Sequence, residues 1–535
     1  MKNDDQFSDF KEHSVAEFFK KNRQMLGFSG KVRSLTTIVH EYVTNSLDAA
    51  EEAKILCDVT IKLEELDKET GHYKITAEDN GSGIPENLMG KALGQMLAGT
   101  KFHRYIQQRG QQGIGAAGVT MYSQITTGKT TKVTSGYRGK IIEAKLNIDF
   151  KTNKANVEIL SKEEGDWHGL IIETEVKDVK YDKSVSGVYE YLKRTAIANP
   201  HTQITFIDPN NEVHIFPRSI EKIPPKPEEV KPHPLGMATN DLMDFAHRDV
   251  NKTLNQFFFE TFSRMSNSKV KELRELLPHI NFKKDPKKLE WSEADDIIRA
   301  FQKIKWIAPS VDGIYPIGEE QIRTSMINIL EPEFLAVIER KPKIYRGGIP
   351  FIVEVGLGYG GNSGRNSSGD VSSSDVMRFG NRAPLLFDAG GCAINESVKS
   401  VDWKRYGLKS MKDAPITLMI NISSVHIPYT GAGKQAIAME QEIVDEVRFG
   451  IMEAARKMQA HIQSVVKTKE RIHKKKAILR YIHQVSEDLS YLSNIASFEI
   501  ENLLSKLIEE KYDTKKDEKE LEEAMQNGGI TNGEN

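Results

Sequence analysis

The sequence predicts an α+β fold rather than a doubly wound α/β sheet, and three observations carry that expectation. Two helical patterns open the chain and are followed by a cluster of strand-like runs, with no regular alternation of strand and helix. A proline-rich stretch, Ile223-Pro-Pro-Lys-Pro-Glu-Glu-Val-Lys-Pro-His-Pro234, then blocks helix continuation and favours an extended linker between domains. Beyond it a helical region precedes a second set of strands.

Residues 14–27 read as a helix that contains Phe18, Phe19 and Leu26 and is closed by Gly27. Residues 33–56 read as a second helix, with Ile38, Val39, Tyr42, Val43 and Leu47 on one apolar stripe. Strands are expected at 58–63, 73–79, 123–127, 131–135, 140–148, 156–160, 170–176 and 203–207, which together with the helices make an α/β sandwich. Residues 238–305 are expected to be mostly helical, with breaks at 266–268 and around Pro278. Strand signals return after Pro309, near 350–356, 384–387 and 415–422. The Gly/Ser-rich run at 356–374 reads as a mobile surface loop. From 440 to 466, Ile443, Val447, Ile451, Met458, Ile462 and Val465 fit one long helix. After a basic run at 467–476, Ile478, Ile482, Val485, Leu489 and Leu492 step by fours and threes, as in a helix-packing seam. That seam suits packing on the chain itself or on a partner. The tail at 515–535 is charged, then Gly/Asn-rich, and is expected to be disordered.

At 535 residues the chain has room for three or four domains. Its 39% hydrophobic and 28% charged residues are ordinary for a soluble protein with an ample core. No apolar run is long enough to span a membrane, and the N-terminus has no apolar signal core, so neither a membrane location nor secretion is expected. Cys57 and Cys392 form neither a metal-ligand pattern nor a disulfide framework, which fits a reducing cytoplasm. With 74 basic against 76 acidic residues the chain is not a uniformly basic nucleic-acid coat, so any DNA contact must come from local basic clusters.

Three segments in the first quarter fit together as one nucleotide site: Glu41-Tyr-Val-Thr-Asn45-Ser-Leu-Asp48-Ala49, Asp79-Asn-Gly81-Ser-Gly83-Ile84 and Gly110-Gln-Gln-Gly113-Ile-Gly115-Ala-Ala-Gly118. Glu41 and Asn45 stand four apart on a helix and project from one face. Glu41 is suited to polarise an attacking water, and Asn45 to offer a neutral oxygen to Mg²⁺, which takes hard oxygen ligands. Standing alone, that pair would more readily be a solvent-facing Glu and a local helix hydrogen bond. Asp79 ends a strand-like run, where a fixed carboxylate can accept the adenine amino proton. Gly81 and Gly83 permit a close backbone approach that a Cβ would obstruct, although Asp-Asn-Gly is also ordinary turn chemistry. The third segment supplies backbone N–H groups at a probable helix start, a phosphate-binding arrangement. Upstream, Gly99-Thr100-Lys101 lies in a stretch able to close as a lid, with Thr100 to bond a phosphate and Lys101 to add charge.

Two decoys fall away. Gly128-Lys129-Thr130 lacks the leading glycine of a P-loop, whose place is taken by Ser123, and Gly431-Ala-Gly433-Lys434 is followed by Gln435, so neither completes Walker A. By composition alone Lys434 reads as a solvated turn lysine, though a lysine in a glycine turn can reach a distant phosphate.

The set resembles the GHKL ATPases, and more closely the topoisomerase VI B-subunit family of type IIB DNA topoisomerases. The resemblance runs over about 12–465 and is carried by Ser14-Val-Ala-Glu-Phe-Phe-Lys-Lys-Asn, Asn45-Ser-Leu-Asp-Ala-Ala-Glu-Glu-Ala, Arg109-Gly-Gln-Gln-Gly-Ile-Gly, Tyr315-Pro-Ile-Gly-Glu-Glu, Asn381-Arg-Ala-Pro-Leu-Leu, Trp403-Lys-Arg-Tyr406 and His426-Ile-Pro-Tyr-Thr-Gly-Ala-Gly-Lys434. It implies a GHKL (Bergerat) ATPase domain with an N-terminal strap over 1–228, a helix–two-turns–helix domain over 229–306, a transducer with a long stalk helix over 307–470, and a partner-docking helix and tail over 471–535. It implies ATP and Mg²⁺ as cofactors. The implied contacts are Asn45 (also the Mg²⁺ ligand), Asp79, Gly83, Thr100, Lys101, Gly110, Gln111, Gln112, Gly113, Ile114, Gly115, Ala116, Ala117 and Lys434, the last sensing the γ-phosphate. Glu41 and Lys434 are the implied catalytic pair, and Trp403–Tyr406 is implied in DNA coupling, against the reading of a packed surface aromatic pair. The implied activity is ATP-driven self-dimerisation that gates passage of double-stranded DNA and relaxes supercoils. A separate A subunit cuts the DNA in an A₂B₂ heterotetramer, in the cytoplasm on nucleoid DNA. The alternative is a MutL-like repair ATPase.

Overall fold

The computed structural model describes residues 14–97, 105–110, 113–367, 371–431 and 433–511, and three large apolar cores and one smaller one organise them. The first opens with α1 (Val15–Lys21), whose Ser14 hydroxyl accepts from the Glu17 N–H while the Glu17 carboxylate accepts from the Ser14 N–H. The expected helix over 14–27 is broken. Asn22 leaves the helical region and its Nδ2 donates to the Phe18 carbonyl, and a short 3₁₀ turn, Arg23–Leu26, ends at Gly27. Helix α2 (Lys31–Ala53) stops at left-handed Lys54, short of the expected end.

Strands β1 (Asp58–Asp67) and β2 (His72–Asp79) follow, then helices α3 (Glu86–Gly94) and α4 (Gly115–Thr127). Next come β3 (Thr131–Tyr137), β4 (Lys140–Asp149), β5 (Lys154–Glu164), β6 (Gly169–Val176), helix α5 (Val188–Ala198), β7 (Gln203–Ile207) and β8 (Val213–Phe216). They form one sheet ordered β5-β4-β3-β6-β2-β1-β7-β8, antiparallel except for β1 with β7. Residues 123–127, expected as a strand, are the last turn of α4. The Thr126 and Thr127 hydroxyls donate to the carbonyls of Tyr122 and Ser123, so residues of β-favouring type are satisfied inside a helix. Gly128 ends α4 in the left-handed conformation, so the Gly128-Lys129-Thr130 decoy is a helix cap.

Residues 221–233 form no helix or strand, yet this linker is seated: the Val230 N–H donates to the Tyr105 carbonyl and the Ser263 N–H to Pro232. The second core is helical, with α6 (Thr239–Arg248), α7 (Leu254–Thr261), α8 (Asn267–Leu276) and α9 (Trp291–Lys303) around Phe257, Phe258, Phe262, Phe282 and Phe301.

A helix absent from the expected elements, α10 (Glu319–Leu330), packs Ile322, Met326 and Leu330 with Ile197 and Ala198 of α5 in a smaller fourth core, after which the third core begins. It continues with β9 (Phe334–Glu339), β10 (Lys343–Tyr345), β11 (Ile349–Tyr359), the hairpin β12 (Arg365–Ser367) and β13 (Val371–Ser373), β14 (Asp375–Gly380), β15 (Ala383–Pro384), α11 (Ala393–Lys399) and β16 (Ile416–Ser424). The main sheet runs β10-β11-β16-β14-β15, with β9 on the other half of β11's edge and only β14 with β16 parallel. The Gly/Ser-rich run is therefore no single loop. Its first residues finish buried β11, and 365–373 contain a hairpin whose tip at 368–370 lies outside the described residues. Gly356 is needed for packing, because a Cβ would stand 2.4 Å from the Met326 sulfur on α10.

Helix α12 (Gln441–Ser493) runs unbroken through the basic stretch. Helix α13 (Ser497–Lys511) packs back on it and buries Ile500 and Ile508, so part of the seam is covered by the chain itself. The expected disordered tail lies outside the described residues. No helix among them is long and apolar enough to cross a membrane.

Because the helical core is closed on its own aromatic cluster, Phe258→Ala should cost about 3–5 kcal/mol in that unit alone. Limited proteolysis should then cut first within 237–304, whereas equal loss of protection across all three cores would contradict their independence.

Candidate functional site

Helix α2 supplies one wall. Positions 41, 45 and 49 succeed one another on one face, and eight residues of helix rise about 12 Å. At the Ala49 end lies the β2 turn: a Cβ on Gly81 would stand 3.2 Å from the Ala49 Cβ and 3.0 Å from Asp79 Oδ1. At the other end Glu41 lies against the start of α4, where a Cβ on Gly115 would fall 1.8 Å from Glu41 Oε2. Between them Gly110 faces Asn45, whose Oδ1 is 3.8 Å from where a Cβ would sit. The three segments are thus brought into one row.

Asp79 is buried and fixed. Its Oδ2 accepts from the Ser46 hydroxyl at 2.7 Å and its Oδ1 from the Gly81 N–H at 2.9 Å. Burial pushes its carboxyl upward, and the bonds from Ser46, Gly81 and Leu170 oppose that. Gly83 has φ +69°, and a Cβ there would stand 2.1 Å from the Gly136 carbonyl, so only glycine lets this turn lie on β3.

The start of α4 is open toward the same space. Its hydrogen-bond ladder begins with Gly118 N to Ile114 O at 2.7 Å, and Ile114 provides no side-chain cap. The N–H groups of Gly115, Ala116 and Ala117 therefore lack partners within the helix, while both alanine side chains lie in the core. Gly113 adopts φ +56°. Gln111, Gln112, Thr100 and Lys101 lie outside the described residues.

Lys434 corrects the reading of a solvated turn lysine. From the turn after β16 its Nζ donates to the Arg109 carbonyl at 2.8 Å, 325 residues away in sequence. Gly433 in the same turn lies beside Gly27, with 3.8 Å from its would-be Cβ to the Gly27 Cα. Burial lowers the pKa of nearby His40, Glu41 raises it and Lys434 lowers it further, so both charges flank that ring.

The group that anchors this arrangement opens one of the quoted motifs but had no role assigned to it from the sequence. Arg109 is buried; its Nη1 donates to Asp48 at 2.9 Å and Glu51 at 3.1 Å, and its Nη2 to Glu51 at 2.7 Å and Asn199 at 2.5 Å. Glu51 also contacts His201 Nε2 at 3.0 Å and Arg382 Nη1 at 3.6 Å. Burial alone would raise the Glu51 carboxyl, but Arg109, His201 and Arg382 outweigh it and hold it well below the usual carboxylate range. The available signal was the pair Asp48 and Glu51, three residues apart on an otherwise buried stripe, which calls for a counter-charge.

Trp403 and Tyr406 are core groups: both are buried, and Trp403 Nε1 donates to the Val398 carbonyl at 3.2 Å. Lys404 and Arg405 between them are the exposed pair. Cys57 and Cys392 are free and buried.

Residues 309–476 match the family described as topoisomerase VI B subunit, transducer, and residues 30–149 match that described as histidine kinase-, DNA gyrase B-, and HSP90-like ATPase. The chain is 43% identical to the B subunit of type 2 DNA topoisomerase 6 from Pyrococcus horikoshii, over 97% of this chain and 99% of that one. It is 44% identical to the protein of the same description from Thermococcus onnurineus, over 97% and 99%. To the one from Methanothermobacter thermautotrophicus it is 46% identical, over 90% and 92%.

Arg109→Ala would leave Asp48 and Glu51 buried without their main counter-charge, and should cost about 3–5 kcal/mol at neutral pH in chemical denaturation. A carboxylate whose folded pKa is depressed adds stability above the ordinary carboxylate range and loses it as pH falls. The gap between wild type and Arg109→Ala should accordingly narrow on acidification; a gap independent of pH would contradict the assigned charge balance.

Proposed function

The chain belongs to the topoisomerase VI B-subunit family, and we propose that it is the ATP-hydrolysing gate of a two-subunit DNA topoisomerase. The observation that carries this reading is the seat of Lys434, which links the third core to the start of the glycine-rich segment. We take 1–228 as the ATPase domain, 229–306 as the helix–two-turns–helix domain, 307–470 as the transducer and 471–535 as the segment that meets the A subunit. Three large cores, one in each of the first three segments, support that division, and a smaller one joins the first and third.

The residues present fit ATP. An apolar-sided turn with a buried acceptor, Asp79, stands at one end of the row, and open helix N–H groups with a carboxylate, Glu41, stand at the other. Bound ATP supplies the phosphoanhydride bond that is broken. Asp79 accepts the adenine amino hydrogen on oxygens that keep lone pairs beyond those used by Ser46 and Gly81. Gly83 shapes that turn. Gly110 borders the phosphates, main-chain N–H groups of Gln111, Gln112, Gly113, Ile114, Gly115, Ala116 and Ala117 hold phosphate oxygens, and Thr100 and Lys101 close over them. Asn45, exposed in the row, would hold Mg²⁺ with its side-chain oxygen. Glu41 takes a proton from the attacking water at its carboxylate. Lys434 brings a positive charge to the terminal phosphate from the transducer.

Two copies dimerise when ATP binds, because ATP prefers the closed state, and enclose a DNA duplex; hydrolysis resets them. DNA cleavage belongs to the A subunit of an A₂B₂ assembly, in the cytoplasm on nucleoid DNA. The exposed apolar groups of α12 and α13, including Tyr481, Leu492, Phe498, Leu503 and Leu507, support docking of that subunit at this end.

Glu41→Ala should keep ATP affinity and abolish hydrolysis, read by nucleotide binding and phosphate release; unchanged turnover would reject Glu41 as the base. Supercoiled DNA should relax only when this chain, the A subunit and ATP are combined. Relaxation without the A subunit would overturn the reading.

A further inference from the structure

The transducer touches the approach to the glycine-rich segment at a second place, distinct from Lys434. Asn381 and Arg382, in the turn between β14 and β15, both have left-handed backbones, φ 49° and 66°. Two adjacent non-glycine residues in that region persist only where their surroundings over-determine them. Here they do. The Asn381 N–H donates to Ile422, and its Oδ1 accepts from the Ser424 N–H at 2.9 Å. The Arg382 N–H donates to Asn421 Oδ1 at 3.1 Å, and the Arg382 carbonyl accepts from Asn199 Nδ2 at 3.1 Å. The turn presents Asn381 Nδ2 to the Gln108 carbonyl at 3.2 Å and to the Ser424 carbonyl at 2.9 Å. Gln108 directly precedes Arg109, whose carbonyl seats Lys434. Gln107 pairs with Tyr315 in both directions, at 2.9 and 2.6 Å.

We propose that Asn381 is a positioning residue for the nucleotide loop, bonding the Gln108 carbonyl so that the transducer holds the approach to that loop independently of Lys434. This rests on the ATP-gate reading above. The two holds differ in kind. Lys434 is partly exposed in a turn outside the sheet, whereas Asn381 is 3% exposed and tied into its own sheet. The Asn381 contact therefore sets where Gly110 stands, and nucleotide affinity depends on it.

Asn381→Asp keeps the shape, the left-handed preference and the oxygen that accepts from Ser424, but removes both donated bonds. Asn381→Gly removes the side chain while suiting the backbone, and guards against a folding failure of the first variant. In the full chain, the Kd for a non-hydrolysable ATP analogue and the KM for ATP should rise about three- to tenfold, the worth of one hydrogen bond. kcat at saturating ATP should stay within about twofold of wild type, because Glu41 is untouched. Unchanged Kd and KM in either folded variant, or a fall in kcat with KM unchanged, would overturn the proposal. Failure of the wild-type chain to bind the analogue would sink the ATP reading instead.

Discussion

The guanidinium of Arg109 lies buried between two carboxylates of α2, and the geometry of the site is referred to that contact. An arginine does not lose its proton in a protein, so once buried it must be surrounded by acceptors. Asp48 and Glu51 meet that need one and nearly two turns beyond Asn45 on the same helix. The segment leading to Gly110 is thereby fixed to the helix that carries Glu41 and Asn45. The Gly110 N–H adds a longer bond of 3.4 Å to Asp48. Placing the glycine-rich segment, the helix and the start of α4 is one problem, and one ion-pair cluster solves it.

That cluster is also where the first and third cores meet. Arg382 approaches Glu51 from the third core and donates to the carbonyls of Tyr315 and Pro316. Glu354, buried in β11, accepts from the N–H groups of Ile317 and Gly318 and from Asn421, so the 315–318 segment is pinned to the sheet. Elsewhere on this boundary Arg194 makes a buried paired contact with Asp375, and Arg33 a solvent-exposed one with Asp388. Opening the first parts two buried charges, with Arg194 still held by Glu190 at 2.7 Å, whereas an exposed pair contributes about 0–1 kcal/mol. The boundary thus has a firm side and a labile side.

Much of the first core was legible in the sequence because its signals are local. The apolar stripe of α2 and the alternation in β1, β2, β4 and β6 are properties of neighbouring residues, and they hold within a few positions. The failures were local signals overruled. Residues 123–127 carry β-favouring side chains but continue a helix already nucleated at Gly115. The glycines of 356–360 suggested a loop and are instead places where a sheet lies against Met326 and Glu333. Helix α10 has a polar first turn, and its Ile322, Met326 and Leu330 step by four, a period too short in extent to stand out beside the strand signals after Pro309.

By itself the sequence determined the chemistry on offer: a carboxylate and an amide one turn apart, a carboxylate before a glycine turn, and a glycine-rich run opening a helix. These depend only on covalent order and on helix and turn geometry. What only the tertiary structure decided is how distant groups meet the glycine-rich segment: the resemblance implied Lys434, but its seat on the Arg109 carbonyl and the contacts of Asn381 and Arg382 exist only in three dimensions. Lys434, Asn381 and Arg382 lie hundreds of residues from Arg109, and their turns carry no periodic signal. They are selected by the need to satisfy carbonyls and charges that become buried when two cores meet, a condition that arises only on folding.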